Sequence, residues 1–414
     1  MTHSQFGSIR WIVVLAFLSL TITIKLPVAQ AQTFRVVHTF NGTPDGAQPF
    51  QATMLNVKGA LYGTTTTGGL YNFGTVFKLD GTGKETVLYN FTGGRDGGVP
   101  DTNLVLDTKG NLYGTTNNGG DLSCVLAPGD GCGVVFKLNA KGLSVLYRFT
   151  GGADGAFPQG LAMDSTGNLY GGTYRGGNSS CNCGVVYKID SKRNKSLLYT
   201  FLGGTDGGSP NGFVTTDSAG NVYGAALIGG SLADCSGSGC GVVFKVDPNG
   251  NETSLYAFKG GADGALPNAG FLMDAKGNLY STAIAGGDLS CSYAGFAGCG
   301  VVYEVSQAGK ERVLYTFHGA DGAIPNYGLI RDLNGNGYST TSYGGAFGNG
   351  TVFELTATGG EKMLYSFTGG SDGGVPYSGV TLDANGNLYS NTFQGGDLSC
   401  NPPSGCGTVF RIVP

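Results

Sequence analysis

The sequence predicts an all-β protein, a seven-bladed β-propeller with four antiparallel strands per blade, and three observations predict it. A unit of four short runs rich in β-branched and aromatic residues, separated by Gly, Asn, Asp and Ser clusters, recurs seven times. The period, read between Tyr62, Tyr113, Tyr170, Tyr223, Tyr280, Tyr338 and Tyr389, is 51 to 58 residues. That is close to the roughly 50 of four-stranded propeller repeats and too long for a coil of a β-solenoid, the runner-up architecture. The two chain ends also complement each other. A lone outer strand, Phe34–Phe40, follows the N-terminal segment, and the last repeat stops at Pro414 without one. Phe34–Phe40 is therefore expected to join the C-terminal blade and close the ring, removing an exposed sheet edge.

Residues Gly160 to Phe201 show the unit strand by strand. GLAMD is strand A, STGN a hairpin turn, LYGGT strand B, RGGNSSCNC a loop, GVVYKID strand C and SLLYTF strand D. The A–B turns carry Gly/Asn hairpin chemistry. Strand C brings an aromatic at Phe77, Phe136, Tyr187, Phe244, Tyr303, Phe353 and Phe410. Strand D ends on Phe40, Phe91, Phe149, Phe201, Phe258, Phe317 and Phe367. Strand alternation places the B–C and D–A loops on one face, where a rigid scaffold usually carries its function.

The chain's opening differs in kind. Arg10 precedes the apolar run Trp11–Ile24, and Ala29-Gln30-Ala31 offers small residues where a signal peptidase reads. Residues 1–31 are expected to be a cleaved signal peptide and residues 32–414 one propeller domain, secreted or at the cell surface. The apolar run falls short of the roughly 20 residues of a spanning helix, and Gln32, not Cys, follows the cut. No transmembrane segment is expected in the mature chain. Removing residues 1–31 takes Arg10 and Lys25 and no acid, leaving 22 basic against 28 acidic residues, a net of −6. Nucleic acid, which demands a basic footprint, is not an expected partner.

Ten cysteines in an exported chain read as disulfides. All lie in B–C loops, two to a loop or none: Cys124 with Cys132, Cys181 with Cys183, Cys235 with Cys240, Cys291 with Cys299, and Cys400 with Cys406. Paired presence and absence predicts bridges within loops. Zinc would need four ligands, and each loop supplies two thiols with no histidine nearby. The shortest pair, Cys181-Asn182-Cys183, is the least certain to close.

The D–A loops repeat Asp-Gly-x-x-Pro seven times, with Asp45, Asp96, Asp154, Asp206, Asp263, Asp321 and Asp372. A carboxylate ring could hold calcium. The plainer reading is a turn aspartate bonding its own backbone, so no cofactor is expected and metal ligands are not assigned. Exceptions to the symmetry carry more information. The residue after each loop proline is Phe50, Asp101, Gln159, Asn211, Asn268, Asn326 or Tyr377. It enters the innermost strand, so these seven are expected at the channel mouth, where amides and rings would suit a polar ligand such as a sugar. Water-binding strand caps are the alternative. Catalytic constellations are scarce: His38 and His318 lie in different blades beside strand D phenylalanines, and neither reads as a triad base. His318 stands where blade six has lost a loop glycine.

The runs LYGTTNNGG, CGVVFKL and LYRFTGGADGAFP resemble the bacterial GloVer tandem repeats of exported proteins with a choice of C-terminal anchors, over nearly all of the mature chain. The resemblance implies a secreted or surface β-propeller and brings no catalytic residues; the sorting tail of the anchored pattern is missing after Pro414. The strand order also looks like that of gluconolactonase-like propellers, but a fold does not transfer an activity. The expected function is an extracellular binding propeller with a glycan or protein ligand on the loop face. A divalent-ion-dependent lactonase or lyase and a purely structural surface component are the alternatives, and the sequence leans away from an enzyme.

Overall fold

Alternating apolar residues with β-branched side chains give each repeat its strands, and glycine and asparagine at the hairpins set where each one turns. The computed structural model describes residues 32–50, 54–211 and 213–413; the signal-peptide reading falls outside these. Seven antiparallel sheets stand in a ring, each ordered A-B-C-D from the axis outward. Blade three has Ala156–Met163, Leu169–Arg175, Val185–Ile189 and Lys195–Thr200. In most other blades strand A is shorter, as in Val105–Leu106 of blade two. The seventh sheet holds Thr381–Leu382, Leu388–Thr392 and Thr408–Val413, and Thr33–Thr39 pairs antiparallel with the last of these, from Thr33 opposite Val413 to Thr39 opposite Thr408. A two-stranded hairpin, Ser292–Tyr293 with Phe296–Ala297, adds to the B–C loop of blade five.

Strand C lies between two neighbouring blades, which is why its first three residues are buried, as in Val134, Val135 and Phe136, with a buried threonine first in blades one, six and seven. The strand D phenylalanines fall just past the strand ends and are fully buried. Each meets the strand C aromatic of the following blade edge-on. The centroid distances are 5.3 Å for Phe91–Phe136, 5.2 Å for Phe149–Tyr187, 5.0 Å for Phe201–Phe244 and Phe258–Tyr303, and 5.1 Å for Phe317–Phe353 and Phe367–Phe410. Phe40 makes the same contact with Phe77 at 5.2 Å. Such pairs add about 0.5–1.5 kcal/mol each beyond the burial of their area.

A second interlock joins loops. The glycine before strand C has positive φ in every blade, and the next blade's loop proline packs on it. A Cβ on Gly74, Gly133 or Gly350 would stand 2.8, 2.7 and 2.7 Å from Cδ of Pro100, Pro158 and Pro376. The residue before the proline donates its N–H to the preceding B–C loop, as Phe157 does to Cys132 O at 3.0 Å and Ser209 to Cys183 O at 2.7 Å. That residue sits at positive φ in all seven copies: Gln48, Val99, Phe157, Ser209, Leu266, Ile324 and Val375. A backbone conformation that costs non-glycine residues about 1 kcal/mol or more is held there by a hydrogen bond between blades.

Glu252, Glu311 and Glu361 begin strands D, and burial, then the charges of Asp206, Asp263 and Asp321, push their carboxyls up to about 7. A carboxyl raised in the folded state binds its proton more tightly there than in the unfolded chain. Its contribution is complete below the ordinary value near 4.5 and is lost as pH rises through about 7. Melts at low salt are expected to give a higher Tm at pH 5 than at pH 8. A Tm that rises between these values would contradict the assignment.

Candidate functional site

The D–A loop aspartates bond their own surroundings. Asp96 accepts hydrogen bonds from Thr92 N–H at 3.0 Å and Tyr89 O–H at 2.9 Å, and Asp154 from Thr150 N–H and Tyr147 O–H, both at 3.0 Å. These carboxylates hold turns. The second glycine of each B–C pair donates to the D–A loop: Gly120 N–H to Gly94 O at 2.9 Å, Gly177 to Gly152 O at 2.9 Å, Gly230 to Gly204 O at 3.0 Å. The two loop sets therefore share one face, as strand alternation predicts. The first glycine of the pair cannot be replaced, because a Cβ on Gly176 would meet Gly155 Cα at 2.7 Å.

The seven residues after the loop prolines divide into three groups. Asn211, Asn268 and Asn326 form a chain around the axis: Asn211 Nδ2 donates to Asn268 Oδ1, and Asn268 Nδ2 to Asn326 Oδ1. Phe50 and Tyr377 are adjacent at 4.9 Å, and Phe393 completes a cluster at 5.5 Å from each. Tyr377 is also joined through its hydroxyl to Tyr343 at 3.0 Å. Asp101 and Gln159 stay apart from both groups. Asp101 accepts from Asn117 Nδ2 at 3.1 Å, and Gln159 Nε2 donates to Phe157 O at 3.1 Å. Burial pushes the Asp101 carboxyl up to about 7, and its Oδ1 makes no hydrogen bond. Deeper in, Phe213 reaches across to Gly160 and packs on Tyr327 at 5.1 Å, both rings buried. The glycine at 160, with no side chain, makes room for that ring. The polar groups at this level bond mainly to one another and to backbone.

Each predicted cysteine pair is brought together and bridged within its own loop. The Cα separations are 5.7 Å for Cys124 and Cys132, 5.2 Å for Cys181 and Cys183, and 5.3 Å for Cys235 and Cys240. They are 5.6 Å both for Cys291 and Cys299 and for Cys400 and Cys406, so all five lie inside the usual disulfide span. Even the two-residue spacing of Cys181 and Cys183, the least certain by sequence, is accommodated, with Asn182 at φ 52°. One partner of each pair is the residue just before the strand C glycine, and Cys132, Cys183, Cys240, Cys299 and Cys406 are all buried there.

The B–C loops also carry exposed apolar side chains, with or without a cysteine pair: Leu70, Tyr71 and Phe73 in blade one, Leu122 and Val125 in blade two, Leu232, Leu289, Phe347 and Leu398 in blades four to seven. Leu289 is 58% and Phe347 60% exposed, values that place these side chains in water. In three loops the same turn presents the leucine. Asp121 Oδ1 accepts from Ser123 N–H at 3.0 Å and from its hydroxyl at 2.6 Å; Asp288 and Ser290, and Asp397 and Ser399, repeat it. His318 reaches the loop of blade five, its Nδ1 2.8 Å from Asp288 Oδ2. That contact and Ser290 hold the Asp288 carboxyl down to about 2, and the same contact raises the imidazole.

The opposite face has a cleft of about 600 Å³ between blades five and six, lined by Leu272, Leu314, Leu329, Arg312 and Arg331. Arg331 lies over the Tyr280 ring at 4.1 Å, and Arg312 pairs with Glu304 at 2.5 Å. Among the described residues, no helix is long and apolar enough to cross a membrane.

The family model for the Gloeobacter/Verrucomicrobia repeat matches residues 23–125, 127–293 and 289–414, nearly the whole chain. The chain belongs to that repeat family. No curated protein matches it by sequence. Among solved structures, this Gloeobacter/Verrucomicrobia repeat protein is similar to the extracellular domain assigned to a hybrid two-component system of B. thetaiotaomicron. Identity is 11% and the TM-score 0.56 over 91% of this chain and 39% of that one. The chain thus spans about two fifths of that structure's length. A gluconolactonase from Xanthomonas campestris aligns at 12% identity and TM-score 0.43, over 92% and 89% of the two chains. At these identities the likeness concerns the fold alone.

Two features of the repeat protein escape a reading by symmetry alone. The exposed leucines carry a signal in the run Gly-Gly-Asp-Leu-Ser-Cys, present three times at 119–124, 286–291 and 395–400. An apolar residue held between an Asx turn and a cysteine is a displayed side chain. Arg312 and Arg331 carry no such signal, because their meeting depends on how blades five and six pack.

Proposed function

We propose that the protein is a secreted or cell-surface binding propeller that engages a protein partner across the face carrying the B–C and D–A loops. The observation that carries this reading is the exposed apolar side chain on the B–C loop of six of the seven blades, four of them leucines at one repeated position. Water-exposed apolar residues concentrated on one face mark a surface used for association. A glycan would ask for open amides and rings, whereas the amides of Asn211 and Asn268 already donate to their neighbours. The bridged cysteine pairs and the signal-like opening through Ala31 support an oxidising, extracytoplasmic location.

The test replaces Leu122, Leu232, Leu289 and Leu398 together by serine. All four are exposed, so each change is expected to stay within about 0.5 kcal/mol, and the melt should stay close to that of the unaltered chain. Immobilised protein incubated with the exported proteins of its own culture should retain a partner that the variant loses at least tenfold. Equal capture by both, or a melt raised by a soluble polysaccharide and unaffected by the substitutions, would overturn the protein reading.

A further inference from the structure

Six of the seven outer strands carry a tyrosine that donates its hydroxyl hydrogen to the loop aspartate following it. The distances are 2.9 Å for Tyr89–Asp96, 3.0 Å for Tyr147–Asp154 and Tyr199–Asp206, 2.9 Å for Tyr256–Asp263, 2.6 Å for Tyr315–Asp321 and 3.1 Å for Tyr365–Asp372. In the strand Thr33–Thr39 the place is taken by His38. Its Nε2 lies 3.5 Å from Asp45 Oδ2 and 3.8 Å from Glu85 Oε2, where Glu85 opens the outer strand of blade one. Both separations exceed ordinary hydrogen bonds. Accordingly Nε2 makes none, and neither does Glu85 Oε1. The side chains are 14%, 13% and 9% exposed for His38, Asp45 and Glu85, so an unpartnered carboxylate oxygen and an unpartnered imidazole nitrogen are buried together.

We propose that His38, Asp45 and Glu85 bind a borderline divalent transition-metal ion, with zinc as the type, which clamps the N-terminal strand to blade one. One ligand atom from each lies within 4.8 Å of the others. Zinc bonds of about 2.0–2.2 Å place tetrahedral ligand atoms roughly 3.3–3.6 Å apart. The histidine-to-aspartate gap already fits, and the others close by small side-chain rotations. Asp45 is oriented by Asn41, whose N–H donates to Oδ1 at 3.1 Å and whose Nδ2 donates to Oδ2 at 3.3 Å, the supporting contacts a ligating carboxylate usually has. One imidazole and two carboxylates suit zinc and its first-row neighbours; calcium and magnesium prefer oxygen alone. The rest of the ring supplies internal controls. Glu252, Glu311 and Glu361 stand near Asp206, Asp263 and Asp321 in the same arrangement, but each site has tyrosine in place of the nitrogen ligand. In blade three Lys195 takes the glutamate's place and donates to Asp154 O at 2.9 Å.

The three ligands come from the outer strand of the last sheet, the loop after it and the first blade. An ion held among them would join both sides of the junction between the chain's two ends.

The experiment is calorimetric titration of the EDTA-treated, signal-free chain with zinc chloride, with the melt followed in parallel. One site per chain and a raised Tm reversed by EDTA are expected. His38→Tyr places in this blade the residue the other six use, so its fold should persist while affinity falls by about 100-fold or more, beyond what losing a supporting contact costs. Glu85→Gln, which preserves shape, reads the same loss should His38→Tyr fold poorly. His318→Ala should leave the titration unchanged. Absence of a single-site isotherm in the unaltered chain, or zinc affinity retained by both His38→Tyr and Glu85→Gln, overturns the proposal.

Discussion

Gly133→Ala lowers stability by about 2–4 kcal/mol, far more than a surface glycine does. Gly133 has φ +85°, and its new Cβ would stand 2.7 Å from Cδ of Pro158 in the next blade and against the carbonyl oxygen of Thr116. Neither neighbour can yield: the proline ring is fixed by its own backbone, and Thr116 is the last residue of strand B. Gly167, in the hairpin of blade three, is the control. It has φ +82° with nothing within 4 Å of where a Cβ would stand, so Gly167→Ala carries only the conformational cost of about 1 kcal/mol. Urea melts of the two variants separate packing from backbone preference. Equal losses would mean that the proline–glycine interlock contributes nothing.

Phe40→Ala is expected to cost about 3–5 kcal/mol, as large aromatic truncations in cores do. Phe40 is fully buried in a cluster that mixes Met54, Leu61, Phe77 and Leu79 of blade one with Val409 of the last strand. One truncation therefore loosens a junction to which both chain ends contribute. If Thr33–Thr39 closes the ring, the loss should appear as early hydrogen exchange in that strand and in Thr408–Val413 before the other blades open. Uniform exchange across all seven blades would place closure elsewhere.

The repeat was legible because its determinants are local. Strand alternation, hairpin glycines and turn aspartates act within a few residues of themselves, and seven copies remove the ambiguity of any one. Asp107 shows this well, accepting from Lys109 and Asn111 N–H, both at 2.9 Å, inside its own turn. The cysteine pairs were legible for the same reason, since Cys235 and Cys240 are only 5 positions apart and Cys291 and Cys299 only 8. What was not legible lies between blades. Gly133 and Pro158 each recur, but their contact spans 25 positions and depends on the ring. His38 reads as a histidine without partners because Glu85 belongs to another blade. Of the residues after the loop prolines, Asn211, Asn268 and Asn326 bond to one another and Phe50 packs on Tyr377, contacts that periodicity does not specify. Leu289 has the composition of a core residue and stands in water, because the Asx turn of Asp288 decides its direction.

The claim that the loop face binds is tested most directly by hydrogen exchange of the protein alone and with the partner it captures. Binding as described protects the Gly-Gly-Asp-Leu-Ser loops at 119–123, 286–290 and 395–399 and leaves the opposite face unchanged. Protection instead around Arg312, Arg331 and the turn at 356–359 would move the function to the cleft between blades five and six and contradict the account.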